Sequence, residues 1–158
     1  MRWFISMRYT KQEKFMFQAL KQAGFARDID EVPVGCVIVK DDKIIARAFN
    51  KREKSQQVAS HAEMNAISKA CKKLGSWRLE DCDIYITLEP CIMCVGAIIQ
   101  SRIRNIYFGA DDYKGGALGS SINALEAKNI NHHPNVYRGI LKEECSSILT
   151  NYFKNKRK

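Results

Sequence analysis

A chain of 158 residues, 46% of them hydrophobic, is long enough for one buried core and too ordinary in composition for a disordered or fibrous protein. Its formal net charge of +9 favours an anionic partner such as nucleic acid. No stretch reaches the length of a membrane span, and six cysteines, at 36, 71, 82, 91, 94 and 145, suit a reducing cytoplasm better than a secreted disulfide framework.

Residues 1–6 lack the apolar centre of a secretory signal, and Met7 offers a second start, so this segment is expected to add little to the fold. Residues 10–26 carry Phe15, Met16, Ala19, Leu20 and Ala23 at helical spacing and predict an opening helix. The apolar run 35–39, a turn at Asp41-Asp42 and a second strand over 43–49 predict a hairpin. A helix over 61–74 ends near Gly75. A strand over 83–87, a helix over 91–100, a strand over 105–109, a polar loop over 110–120, a short strand over 135–139 and a helix over 142–154 complete the series. Strands alternating with helices after a hairpin predict one α/β domain over 1–158, layered around a mixed sheet. The basic end, 154–158, reads as a solvated terminus or as a phosphate contact.

The chemistry is concentrated in two segments, His61-Ala62-Glu63 and Pro90-Cys91-Ile92-Met93-Cys94. Cys91 and Cys94 are three apart, so on a helix both sulfurs can reach one ion. A helix N-terminus favours the thiolate that metals bind, and Pro90 suits a first helical turn. His61 supplies a third ligand. Three protein ligands with a fourth place for water is the catalytic pattern of zinc, whereas a structural site closes with four. A closed site would need Cys71, Cys82 or His132 as its fourth ligand. The cysteines outside the pair, Cys36, Cys71, Cys82 and Cys145, read as small packing residues. Glu63 has two readings. Ser60 to Glu63 spells a capping box, in which the carboxylate only returns to the helix cap. Positions 61 and 63 share no helical face, so only a placement in the first turn lets both approach one ion.

H-x-E followed by P-C-x-x-C is the signature of the zinc nucleoside and base deaminases. The likeness here is closer. Glu31-Val32-Pro33-Val34-Gly35, Phe49-Asn50, His61-Ala62-Glu63-Met64, the run from Thr87 to Cys94, Phe108-Gly109-Ala110, Gly116-Ala117-Leu118-Gly119-Ser120 and His132-His133-Pro134 resemble blocks of the bacterial tRNA-specific adenosine deaminases. They stand in the same order and cover roughly residues 10–155. The resemblance implies a three-layer α/β/α cytidine-deaminase-like domain with a central mixed five-stranded sheet. It implies one Zn2+ per subunit on His61, Cys91 and Cys94, with Glu63 moving protons between the attacking water, N1 and the departing amino group of adenine. It also implies substrate contacts. Asn50 would bond the flipped nucleoside, Val34 and Gly35 would line the base, the Glu89 backbone would lie near the leaving group, and Asp112 and His133 would meet the RNA loop. The implied reaction is hydrolytic deamination of adenosine to inosine at the wobble position of a tRNA anticodon, by a cytoplasmic homodimer. Two positions depart from the family pattern: Cys36, where Ala is frequent, and Asp111, where a basic residue often precedes the second Asp. The second departure puts loop contacts with RNA in question. A deaminase of free bases or nucleosides is the rival reading of the same zinc set.

Overall fold

Helix α1 (Lys11–Asp28) opens on a formed capping box. The Thr10 hydroxyl accepts from the Glu13 N–H at 3.1 Å, and the Glu13 carboxylate accepts from the Thr10 N–H at 2.9 Å. This is a computed structural model that describes residues 8–157, so the expectation for 1–6 lies outside the described residues. Strands β1 (Gly35–Lys40) and β2 (Lys43–Phe49) follow as the expected hairpin. Its turn residues, Asp41 and Asp42, take φ of 51° and 60°, the left-handed pair that a two-residue hairpin turn needs. Next come α2 (Arg52–Ser55), α3 (Ala62–Leu74), β3 (Cys82–Leu88), α4 (Ile92–Ser101), β4 (Asn105–Ala110), a 3-10 turn at Ala124–Glu126, β5 (Asn135–Arg138) and α5 (Lys142–Lys156). Helix α2 and the 3-10 turn are absent from the sequence reading because four and three residues are too few to show a period. Gly75 ends α3 in the left-handed region, as its position predicts.

The sheet is mixed and five-stranded, in the order β2-β1-β3-β4-β5. Strand β1 is antiparallel to β2 and β3, while β3, β4 and β5 run parallel. Helix α4 is therefore the crossover of a β-α-β unit, which places the end of β3 and the start of α4 on one rim. Alternation along β1 builds two cores. Cys36 and Ile38 face α3 and α4 with Ala62, Ala66, Val95 and Ile98. Val37 and Val39 face the other way, with Met16 and Ala19 of α1 and Cys145 of α5. The layering is α/β/α.

Gly35 is where α1 meets the sheet. A Cβ there would stand 1.9 Å from the Ala19 carbonyl oxygen and 2.4 Å from the Ala23 nitrogen. The absence of a side chain at Gly35 is thus required by its close approach to α1. The basic end is exposed over residues 154–157 and continues the last helix. Helix α5 runs to Lys156, whose ammonium meets Asp30 at 2.6 Å, and the Tyr152 hydroxyl donates to the Asp30 carbonyl at 3.2 Å. Residues 154–156 are a helical turn tied to the segment after α1. Among the described residues no helix is long and apolar enough to cross a membrane.

Candidate active site

His61 and Cys91 are not inside helices. Each is the N-cap of one, His61 of α3 and Cys91 of α4, with extended backbone. Neither side chain caps its own helix, so both are available to another partner. The helices begin one residue later than expected, at 62 and 92, and this shift assembles the site. His61 Nδ1 lies 3.6 Å from Cys91 Sγ and 3.6 Å from Cys94 Sγ. The three ligand atoms lie within 4.8 Å of one another and could hold a metal ion. Pro90 stands just before the cap, not in the first turn, and its carbonyl accepts from the Ala117 N–H at 2.9 Å. The alternative fourth ligands lie elsewhere. The Cys71 thiol points to the Trp77 carbonyl, Cys82 is buried at the start of β3, and His132 Nε2 pairs with the Ile103 carbonyl at 2.7 Å.

The protonation of the cluster is that of a site that a cation can discharge. The Cys91 thiol is lowered to about 3, first by its hydrogen bond with Cys94 and then, against burial, by His61. Cys94 is pushed up by the same bond and by burial. The bond to Cys91 raises His61, and burial opposes it. A cation bound by these three atoms would displace the protons they carry.

Glu63 is the second residue of α3 and is 4% exposed. The capping box does not form. The cap is His61, and the buried Ser60 hydroxyl accepts instead from Asn65 Nδ2 at 3.1 Å. Glu63 therefore sits in the first turn, the one placement that brings it to the ion-binding cluster. Burial raises its carboxyl, while its own backbone N–H and His61 draw it back. A cavity of about 170 Å³ opens over the cluster, and Val34, Asn50, Glu89 and Asp112 line it beside His61, Glu63 and Cys91.

A family model described as MafB19-like deaminase matches residues 10–157. A tRNA-specific adenosine deaminase of Bacillus subtilis (strain 168) is 47% identical over 149 residues, 94% of this chain and 92% of the relative. The chain belongs to the tRNA-specific adenosine deaminase family. A solved structure from studies of A-to-I editing by tRNA:A34 deaminases at the wobble position superposes with a TM-score of 0.84 at 44% identity, covering 86% of this chain and 99% of the other. A guanine deaminase from Nitrosomonas europaea superposes with a TM-score of 0.76 at 25% identity, covering 89% and 83%.

Of the residues expected of a family member, Cys94 is buried next to His61 without lining the cavity, and two of the expected substrate contacts, Gly35 and His133, lie outside it. Gly35 packs on α1, as described above. His133 precedes β5, whose first residue pairs with the first residue of β4, so it stands at the opposite end of the sheet, in a surface cleft with Arg78, Arg102 and Arg104. Spacing alone could not reveal this, because the loop over 110–134 returns the chain to the far rim. Glu89 differs in kind. The sequence reading assigns a role to its backbone, but its side chain is the structural centre of the loop. Its carboxylate accepts from Asp112 N–H at 3.2 Å, Leu118 N–H at 2.9 Å, Ser120 N–H at 3.1 Å and the Ser120 hydroxyl. Burial raises this carboxyl, but the Ser120, Asp112 and Leu118 donors outweigh it and hold the group below the usual range. Gly116 is small because a Cβ there would stand 2.4 Å from Glu89 Cδ.

The departures at Cys36 and Asp111 have structural accounts. Cys36 is fully buried beneath the site. Asp111 meets Arg138 at 3.0 Å and Lys142 at 3.0 Å, so its charge is answered within the chain. Asp112 Oδ1 accepts from the Lys114 and Gly115 N–H groups, each at 3.2 Å. The sequence reading misses Val32, Arg52 and Leu88, which also line the cavity. Its one available signal was Arg52 two places after Asn50.

Proposed function

We infer that this protein is a zinc-dependent hydrolase that converts the wobble adenosine of a tRNA anticodon, position 34, to inosine. The observation that carries the reading is a three-ligand cluster on the floor of a small cavity, with the buried Glu63 beside it, in a chain of this family. The donor set fits zinc. Zn–S bonds of about 2.3 Å and Zn–N bonds of about 2.0–2.1 Å in a tetrahedron put sulfur and nitrogen roughly 3.6 Å apart. His61 Nδ1 stands 3.6 Å from each sulfur. Imidazole and thiolate are also ligands that zinc accepts. When bound by His61, Cys91 and Cys94, zinc supplies a Lewis acid that lowers the pKa of a water from about 15.7 toward about 7.

The chain's own residues do the rest. Glu63 takes one proton from the attacking water and delivers it to N1 of adenine, then takes the remaining proton from the oxygen added at C6 and gives it to the amino group, which leaves as ammonia. A ligand thiolate or imidazole cannot shuttle protons while it binds the metal, so a carboxylate outside the ligand set is required. Asn50 donates to the Val32 carbonyl at 3.2 Å and accepts from the Arg52 N–H at 3.2 Å. One amide N–H and one carbonyl lone pair are left for the nucleoside. Val34 gives an apolar wall, and Asp112 flanks the entrance with the loop that Glu89 holds. An anticodon loop supplies an unpaired base that can be turned into such a cavity at modest cost. The formal charge of +9 accords with an RNA partner. The chain acts as a single domain, as a homodimer, in the cytoplasm.

The test is to incubate the purified protein with total tRNA and map A-to-I changes. Inosine at the wobble position is the expected result. Unchanged tRNA, with ammonia released from free purines, would overturn it.

A further inference from the structure

We propose that Arg52 binds a backbone phosphate next to the target nucleotide, and that the buried Glu31 is the positioning residue that holds it there. This rests on the RNA reading above. Glu31 is fully buried, and its two oxygens accept from the Glu53 N–H at 3.1 Å and the Lys54 N–H at 2.6 Å. These are backbone donors of the single turn α2, which is four residues long. So short a helix has no stability of its own, so its place is set by what grips it. Glu31 holds one end, and the Asn50 amide, bonded to the Val32 carbonyl and the Arg52 N–H, holds the other. The 50–54 turn is thereby fastened to the 31–32 segment at two points.

On this turn Arg52 is exposed and lines the cavity beside His61 and Glu63. Among the described residues no carboxylate pairs with its guanidinium. The acids around the cavity have other partners: Glu63 sits against the ligand cluster, Glu89 holds the loop, and Asp112 bonds the Lys114 and Gly115 N–H groups. Adenine itself is uncharged, and the cluster and Glu63 already serve the atoms that react. A cation fixed in this wall therefore has nothing to meet on a free base. A nucleotide within a strand brings a phosphate, and a guanidinium offers it paired donors. Arg52 then selects a nucleotide in an RNA chain over a free base.

Steady-state kinetics on an anticodon stem-loop RNA, over a salt series, test this with Arg52→Ala, Arg52→Lys and Glu31→Gln, each checked for zinc content and melting temperature. Arg52→Ala should raise KM about tenfold, the loss of one charged hydrogen-bonded contact. It should also flatten the log KM against log salt slope by about 0.7, one phosphate on a single strand. Arg52→Lys should keep the slope and recover part of the affinity. Glu31→Gln should raise KM with zinc content and slope retained, because the charge is present but misplaced. An unchanged KM and slope in Arg52→Ala, or a loss confined to kcat, would overturn the assignment. A folded Glu31→Gln with wild-type KM would overturn the positioning role. If the wild type does not deaminate the stem-loop at all, the functional reading fails and this one with it. If the wild type is active and Arg52→Ala matches it, only this inference fails.

Discussion

Glu89→Gln is the substitution whose cost the structure specifies most closely. The side chain is fully buried, and the change is isosteric. The carboxylate accepts from Asp112 N–H and the Ser120 hydroxyl on Oε1, and from Leu118 N–H and Ser120 N–H on Oε2. A glutamine keeps one acceptor oxygen, and its best placement is at Oε2, where both donors are backbone N–H groups that cannot turn. Its NH2 then faces Oε1's partners. The Ser120 hydroxyl can rotate and accept, but the Asp112 N–H is left unpaired, at about 1–3 kcal/mol. The surviving bonds lose their charge assistance, and Arg138, 3.8 Å from Oε1, loses an anion. A total near 3 kcal/mol lowers the melting temperature of a chain this size by roughly 6–12 °C. The pH dependence carries a sign. Glu89 is held below its ordinary value of 4.5 in the folded chain. The stability it adds is therefore complete above the unfolded value and is lost as pH falls through the folded one. Calorimetry of both proteins from neutral to acid pH should show the gap closing below about pH 4.5. Equal melting temperatures at pH 7, or a gap undiminished in acid, would refute the account of the loop.

Three further outcomes follow from the same geometry. Glu63→Ala should retain zinc and fold yet lose inosine formation, and normal turnover by the zinc-loaded variant would exclude Glu63 as the proton carrier. Gly35→Ala should cost about 3 kcal/mol or more, because its Cβ would meet α1 backbone at 1.9 Å and 2.4 Å rather than a side chain that can turn aside; an unchanged melting temperature would contradict that packing. Removing zinc with a chelator should release one ion per chain and lower the melting temperature reversibly, with affinity weakening as pH falls because protons return to His61 and the thiols. Metal analysis across pH checks this, and a pH-independent affinity would argue against thiolate ligation.

The sequence by itself determined the order of the strands and longer helices, the hairpin, the His61, Cys91 and Cys94 trio that could hold a metal, and the family, because these rest on local period, spacing and motif order. It could not decide Glu63. His-Ala-Glu after Ser60 is equally a capping box until the backbone shows which residue caps α3, and the answer, His61, moves the helix start by one residue and carries Glu63 to the cluster. Gly35, expected at the base, packs on α1, and His133, expected at the RNA loop, stands at the opposite end of the sheet, for a related reason. A glycine in a strand signals close approach without naming what approaches, and a histidine after a long loop can land on either rim of a sheet. Glu31 and Glu89 are acids in polar-looking stretches whose importance lies in burial and in donors from 22 to 31 residues away. No window along the chain contains both partners. Only the folded sheet, with the start of β1 and the ends of β2 and β3 on one rim, brings those separated partners together.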